Sequence, residues 1–466
     1  MAGYGLRKSG AGLNSANSRQ LWFVPLGGTG EIGMNLNLYG HDRAWLIVDC
    51  GLTFDAPLDR DLDDEDFVQR HELVCADPRF IVERRDQLAG IVITHAHEDH
   101  VGAVAYLWER LRVPVWTTRF TAEVLRRKLA ERGLADAVPV HFVDAGEAFS
   151  IGPFNCEFVR LTHSLPEPNG LIITTAAGRV FHTGDWKLDA QPVLGQGVQV
   201  ERLRQLGREG VDAMVCDSTN ALKPGHSISE GDCEAGLLKA VTDAEYRVVV
   251  TCFGSNIARL ITLARVAKKT GRYIGLFGRS LHNMYAAAQR TGYWPDDCLV
   301  IDERHLGFLP RHEVLAVSTG SQGEYRAALA RMAHNAHPHL ELVKGDTVVF
   351  SSIRIPGNED KIDRLMNALR DKHIRIVESA DSELPIHASG HPNADELKQM
   401  YEWIRPRIAV PTHGEPEHME AHARIAKAAG VERTLTGLNG DLFQLAETAM
   451  MRRGFAIHGR IAIDSR

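Results

Sequence analysis

Four side chains able to ligate a metal, His95, His97, Asp99 and His100, fall within six residues of the segment Thr94-His95-Ala96-His97-Glu98-Asp99-His100. Imidazole nitrogen and carboxylate oxygen together suit zinc or a similar first-row divalent ion. The run follows a buried apolar strand, GIVIT, and precedes apolar residues at helical spacing over residues 101–111. A loop between strand and helix lets the four side chains converge on one point. Two further donors end strand-like runs downstream: His163 closes FVRLT, and Asp185 closes RVFHTG. Taken singly, such residues are more often caps or surface groups. Both follow strands expected in the same sheet as the cluster, and ligands of open α/β sheets collect at such ends. His163 and Asp185 are therefore candidate ligands.

The elements that would position these residues alternate along the chain. Residues 21–51 read as three strands, LWFVPL, NLNLYG and AWLIVDCG, with β-branched and aromatic residues between turn residues. VPVHFV, CEFVRLT, GLIITT and RVFHTGD continue the series, so an α/β layered fold is expected. DAMVCD then leads into a second α/β section: RVVVTCF, a helix over 257–269, YIGLFG, VLAVSTGS and DTVVFSS. Its strands come at the spacing of βαβ units. After about residue 380 the chain returns to the first domain through ELPIHASGH, a helix from Ala394, and IAVPTHGEP. The expected division is a disordered lead-in (1–19), a first domain (20–215), an inserted domain (216–380) and the second part of the first domain (381–466). No internal repeat or low-complexity tract is present.

Composition narrows the functional classes. The 466 residues are 44% apolar and 24% charged, in keeping with a globular protein of two or three domains. With 53 basic against 60 acidic residues the net charge is −7, so no global basic field exists to attract nucleic acid. Any such affinity needs a local patch or a bound cation. Seven scattered cysteines without a CxxC pair suit reduced thiols in a cytoplasmic setting. Residues 1–19 lack the apolar stretch of a signal peptide, and no run of about 18 apolar residues occurs, so no membrane association is expected. Six acids within residues 59–66 read as a charged surface loop. Gly28-Thr29-Gly30-Glu31-Ile32-Gly33 fits the dinucleotide pattern GxGxxG, with Asp49 about 20 residues on. That loop must open a helix, whereas residues 34–39 alternate like a strand, so dinucleotide binding is not expected.

The HAHEDH run, the LTHS histidine His163 and the TGD aspartate Asp185 resemble three motifs of the metallo-β-lactamase superfamily, and Asp49 in LIVDCG matches the aspartate standing behind its ligands. The resemblance implies an αββα sandwich with a metal pair at the strand ends. Asp217-Ser218-Thr219-Asn220, His387-Ala388-Ser389-Gly390-His391 and His413-Gly414-Glu415 resemble the three additional motifs of the β-CASP nucleases, whose inserted α/β domain is then expected. Within these the chain is most similar to the ribonuclease J family, through PLGGTGEIGMN (25–35), GLTF (51–54), DSTN, GSNIAR (254–259), GRS (278–280), STGSQGE (318–324), SSIRIPGNE (351–359) and HASGH. The resemblance runs from about residue 20 to 435. Three departures stand out. Family members commonly carry a further C-terminal domain, whereas this chain ends about 50 residues after His413. Residues 55–79 do not follow the family's usual segment, and Pro416 stands where an aromatic is common.

Carried over position by position, the resemblance implies a metal-dependent ribonuclease, exonucleolytic from the 5′ end, endonucleolytic, or both. His95, His97 and His163 would hold one divalent ion; Asp99, His100 and His413 a second; Asp185 would bridge them. Zinc or manganese would fill both places and activate a hydroxide. His391, oriented by Asp217, would serve as general acid, and His387, Ser389, Gly390 and His391 would line a phosphate pocket. Single-stranded RNA is the implied partner and a homodimer the implied assembly. The competing reading keeps the fold and metals but hydrolyses a small ester, thioester or lactone. Against it stands the insertion between Asp217 and about residue 380, which would roof the site into a groove that a small substrate does not need. A non-catalytic RNA-binding protein is disfavoured because every metal and acid position is filled. Arg259, Lys268, Lys269, Arg272 and Arg279 are candidate contacts to RNA phosphates or, more plainly, a solvated helix face.

Overall fold

Alternating burial along the first strand builds two packed layers at once. In Trp22–Gly27 every residue is buried. Trp22 and Val24 share a core with helical Leu107, Leu111 and Leu125, while Phe23 faces Phe158, Leu171 and Val410 of a second sheet. A computed structural model of the chain describes residues 16–58 and 70–463. Residues 1–15 of the expected lead-in and the acidic run 59–66 lie outside the described residues. Ala16 is buried, and its carbonyl accepts from the Arg43 N–H at 2.7 Å.

The first sheet has eight strands in the order Met450–Arg452, Leu442–Gln444, Trp22–Gly27, Leu36–His41, Ala44–Cys50, Leu88–Val92, Val115–Thr117, Val140–Phe142. The second has seven: Arg433–Thr434, Ile408–Thr412, Ala213–Asp217, Gly178–His182, Asn169–Thr175, Phe154–Arg160, Ala148–Ile151. The inner faces of the two sheets meet in one core. The helices Val104–Leu111 and Arg119–Glu131 cover the outer face of the first sheet. Val200–Glu209, Ala394–Ile404 and Pro416–Ala428 cover that of the second, where Leu203, Leu397 and Ala421 pack on Phe181 and Met214. This is the αββα sandwich of the metallo-β-lactamase fold. The GxGxxG turn joins two antiparallel strands, with no helix after it.

Between the second sheet's strands Ala213–Asp217 and Ile408–Thr412 the chain builds a separate six-stranded sheet. Its order is Val300–Ile301, Tyr273–Phe277, Val314–Ser318, Val248–Thr251, Thr347–Phe350, Arg375–Val377, parallel throughout. Parallel sheets are covered on both faces. Here Cys233–Thr242 and Ile257–Thr270 cover one face, and Ala328–Ala333 and Glu359–Asp371 the other. This is the inserted α/β domain. Departure and return lie side by side, because Asp217 pairs in parallel register with Thr412.

The basic residues considered for RNA contact are largely occupied. Arg259 is fully buried: its guanidinium pairs with Glu230 at 3.0 Å and donates to the Ser351 and Ile386 carbonyls at 3.1 and 2.9 Å. It therefore clamps the entering and returning connections of the insertion and offers nothing to a phosphate. Lys268 pairs with Asp297 and Lys269 with Glu234, while Arg272 donates to main-chain carbonyls of Val241, Ala244, Tyr246 and Val314. Arg279 stays exposed. Among the described residues no helix is long and apolar enough to cross a membrane.

Candidate metal centre

Strand ends, and one short helix that follows such an end, deliver the donors. Leu88–Val92 runs into Thr94 and His95, and His97 precedes the short helix Glu98–Val101 that carries Asp99 and His100. His163 follows Phe154–Arg160, Asp185 follows Gly178–His182, and His413 follows Ile408–Thr412, all in the second sheet and not, as expected from the sequence for His163 and Asp185, in the sheet of the cluster. Asp49, near the end of Ala44–Cys50, fixes the loop between them. Its carboxylate accepts from the Thr94 N–H at 2.8 Å and from the Thr94 hydroxyl at 2.9 Å, and it binds His100 Nδ1 at 2.8 Å. Asp49 has φ +65°, a left-handed backbone uncommon outside glycine and asparagine. Binding Nδ1 leaves His100 Nε2 turned toward the donors.

Two donor sets converge and share one carboxylate. His95, His97, His163 and Asp185 form the first; Asp99, His100, His413 and Asp185 the second. In the first, His97 Nδ1 lies 3.2 Å from His95 Nε2 and 3.0 Å from His163 Nε2, and Asp185 Oδ2 lies 3.9 Å from His95 Nε2. In the second, His100 Nε2 is 3.2 Å from Asp185 and 3.5 Å from Asp99, and His413 Nε2 is 3.2 Å from Asp99. Tetrahedral ligands with bonds of about 2.0–2.1 Å stand about 3.3 Å apart, so both sets fit a divalent ion. Supporting contacts aim the rings: His163 Nδ1 donates to the Gly390 carbonyl at 2.6 Å, and His413 Nδ1 meets the Thr219 hydroxyl at 3.0 Å. Gly390 must be glycine, since a Cβ there would overlap the His163 ring.

Charge separates the two sets. Burial and neighbouring imidazoles hold His95 and His163 well below the ordinary histidine pKa, and burial holds His97 at about 4. The first set thus offers neutral nitrogen lone pairs. Burial also opposes charge on His100 and His413, but Asp185 and its companion carboxylates outweigh it and raise both. Burial likewise disfavours ionised Asp99 and Asp185, and the facing histidines reverse that, so both carboxyls titrate low.

Beside this centre His391 Nδ1 binds Asp217 Oδ2 at 2.8 Å and stands 3.9 Å from Asp185 Oδ2. Burial works against its charged form, but Asp217 and Asp185 prevail and raise its pKa. With Nδ1 occupied, Nε2 is the nitrogen left to carry a proton outward. Of the residues expected for a phosphate, Gly390 and His391 border the centre. Ser389 Oγ accepts from Asn220 Nδ2 at 2.8 Å and keeps its own proton to donate. His387 stands apart, with Nδ1 on the Ser351 carbonyl at 3.3 Å. Burial and then Arg259 lower its pKa to about 3, so it is a neutral ring at physiological pH.

Family models match three consecutive parts of the chain: a beta-lactamase superfamily domain over residues 44–237, a "Ribonuclease J, beta-CASP domain" over 245–369, and a "Zn-dependent metallo-hydrolase RNA specificity domain" over 385–435. Ribonuclease J of Sinorhizobium meliloti is 43% identical over 463 residues, covering 98% of this chain and 80% of that protein. The chain belongs to the ribonuclease J family. Ribonuclease J of Mycolicibacterium smegmatis is 36% identical over 445 residues (94% and 77% coverage), and that of Thermus thermophilus 32% over 450 (95% and 77%). A solved protein of unknown function from Enterococcus faecalis shares the fold with a TM-score of 0.62 at 16% identity, covering 91% of this chain and all of that one.

Against the ribonuclease J motifs, sequence reasoning left several supporting residues without a role. Asn35 closes PLGGTGEIGMN; its N–H and Nδ2 both donate to the Asp99 carbonyl, at 2.9 and 3.1 Å. Thr94 and Thr219 carry the hydroxyls beside His95 Nδ1 and His413 Nδ1. Glu396 is fully buried and accepts from Leu188 N, Ser227 N and Oγ, and Asn393 N, tying the segment after Asp185 to the helix after His391. Their only signal in the sequence is membership of, or closeness to, a motif.

Proposed function

We propose that the chain is a metal-dependent ribonuclease that hydrolyses RNA phosphodiesters, with His95, His97 and His163 holding one divalent ion, Asp99, His100 and His413 a second, and Asp185 between them. The observation that carries this reading is one carboxylate shared by two converging donor sets, with the His391–Asp217 pair against it. Bound ions at these places supply the positive charge and water activation that phosphodiester hydrolysis requires. The nitrogen-rich donor set and the zinc-hydrolase model over 385–435 favour zinc, with manganese as the substitute. Asp99 and Asp185 offset only half the charge of two divalent ions, which gives an acidic chain an attractive centre for a phosphate. Asp49 and Gly390 hold the rings of His100 and His163. His391 gives the leaving sugar oxygen its proton, and Asp217 keeps that imidazole charged and oriented. Ser389, Gly390 and His391 border the path of an RNA phosphate, with His387 set back from them on the Ser351 carbonyl.

The same reading takes single-stranded RNA as substrate, with attack from the 5′ end, internally, or both. It takes a homodimer in the cytoplasm, a setting that suits seven free, buried cysteines, and the division 20–215, 216–380, 381–466. The deciding assay uses purified, metal-analysed protein on end-labelled single-stranded RNA bearing a 5′-monophosphate or 5′-triphosphate, with Asp99→Ala alongside. Mononucleotide release from the monophosphorylated RNA, absent in the variant, establishes a 5′ exonuclease. Internal cuts indifferent to the 5′ end establish an endonuclease. No cleavage of either RNA by metal-loaded protein overturns the proposal.

A further inference from the structure

The turn after Asp217 holds the His391 segment at two points. Asp217 Oδ1 accepts from the Thr219 N–H at 2.8 Å and from its hydroxyl at 2.7 Å, which folds Asn220 back toward residues 389–391. Asn220 is buried, and its amide Nδ2 donates twice, to Ser389 Oγ at 2.8 Å and to the His391 carbonyl at 3.2 Å. A primary amide carries only two N–H groups, so this segment takes both. The His391 N–H closes the loop on Ser389 Oγ at 3.3 Å. Three residues earlier in the same turn, Asp217 Oδ2 holds the His391 ring. One turn thus grips His391 by side chain and by main chain.

The two grips do different work. A single hydrogen bond at Nδ1 leaves the imidazole free to swing about that contact as its Cα moves. Where Nε2 points is settled only when the main chain is also held. We propose that Asn220 is a positioning residue for RNA hydrolysis: its amide fixes the main chain of Ser389–His391 so that Nε2 faces the leaving oxygen. This rests on the ribonuclease reading and on His391 as its acid. As the oxygen of an attacking water bonds to phosphorus and the bond to the leaving sugar oxygen breaks, the Nε2 proton passes to that sugar oxygen.

The test compares two substrates with different need for that proton. A sugar alkoxide leaves poorly unless protonated, whereas 4-nitrophenolate leaves without help. Asn220→Ala is assayed on single-stranded RNA and on bis(4-nitrophenyl) phosphate, with metal content measured on both proteins. The expected result is a fall in kcat on RNA of about 10²-fold, the effect of misplacing a reacting group by about 1 Å. Turnover of the aryl diester, which needs no proton from Nε2, falls far less than kcat on RNA. Asn220→Ser, which restores one donor, recovers part of the loss. Equal losses on both substrates, or unchanged kcat on RNA, overturn the proposal. A wild-type protein that hydrolyses only the aryl diester overturns the ribonuclease reading itself. Turnover of the aryl diester also reports that the variant has folded.

Discussion

At Gly51 the main chain runs close against the Asp99–His100 loop, and Gly51→Ala tests whether the candidate metal loop is held by that approach. A Cβ at this position would overlap the Asp99 carbonyl outright and would stand 2.6 Å from the His100 N, where ordinary contact begins at 3.4 Å. Clearing His100 alone therefore needs a shift of 3.4 − 2.6, or about 0.8 Å, and clearing the carbonyl needs more. The loop cannot yield elsewhere, because the Asn35 N–H binds the Asp99 carbonyl at 2.9 Å and the Gly51 N–H binds the Asn35 carbonyl at 2.8 Å. Metal ligands tolerate displacements of only about 0.2 Å. The atoms nearest the new methyl all belong to Asp99 and His100, members of the second donor set. The variant should keep the ion of the first set, lose that of the second, and lose turnover on RNA by about 10²-fold or more. Overpacking of this kind typically costs about 1–3 kcal/mol, so the fold should survive. The assay is metal analysis after dialysis, RNA turnover and a thermal melt, with Gly197→Ala as control, since a Cβ there meets nothing within 4 Å. Full metal content and wild-type turnover in Gly51→Ala would refute the reasoning.

Three further outcomes are expected. His97→Ala and Asp99→Ala should each abolish hydrolysis with little change in circular dichroism; full activity in either purified variant would remove the corresponding donor set from the mechanism. His391→Ala should retain both ions yet lose about 10²–10⁴-fold on RNA; wild-type turnover would take His391 out of the acid role. Acid should destabilise the fold through His422, which is buried between the Ser218 and Tyr401 hydroxyls and held by burial at a pKa of about 4. The unfolded chain takes that proton near pH 6.5, so stability is full above 6.5, falls as pH drops through it, and levels off below about 4, with a ceiling of about 3 kcal/mol. Melting curves between pH 7 and 4.5 should show a smaller acid loss in His422→Gln than in the wild type, and parallel losses would contradict the assignment.

What could be read from the chain and what could not divide along a physical line. Residue type and short spacing marked the candidate donors that the fold brings together, because imidazole and carboxylate suit a divalent ion and HxHxDH packs four into one loop. The strand at Leu36–His41 was legible for a similar reason: alternation over six residues is a local property, and it overruled the glycine pattern just before it. Arg259 shows the opposite case. From the sequence it is a cation on a helix, but residues 257–264 of that helix are all buried, so no solvated face exists for it to occupy. Its partners Glu230 and Ile386 lie 29 residues before and 127 after it. The strands Leu442–Gln444 and Met450–Arg452, which complete the first sheet, are three residues each and too short to carry a pattern.

The same division explains why the donors are easier to recognise than the residues that aim them. Asn220 reaches Ser389 across 169 residues, and Asn35 reaches Asp99 across 64, with side chains common in any turn. Nothing in an asparagine tells which group it will hold: strand pairing in the first sheet brings Asn35 to Asp99, and the pairing of Asp217 with Thr412 in the second brings the two ends of the insertion together. Both ends of the insertion therefore meet at the candidate metal centre, with Asp217 before the first connection and His413 after the second. A displacement of the inserted domain acts on His391, Asp217 and His413 together, while His95 stays anchored to the first sheet through Thr94 and Asp49. It follows that variants loosening the Arg259–Glu230 clamp should lower turnover on RNA and weaken the second donor set while the first keeps its ion.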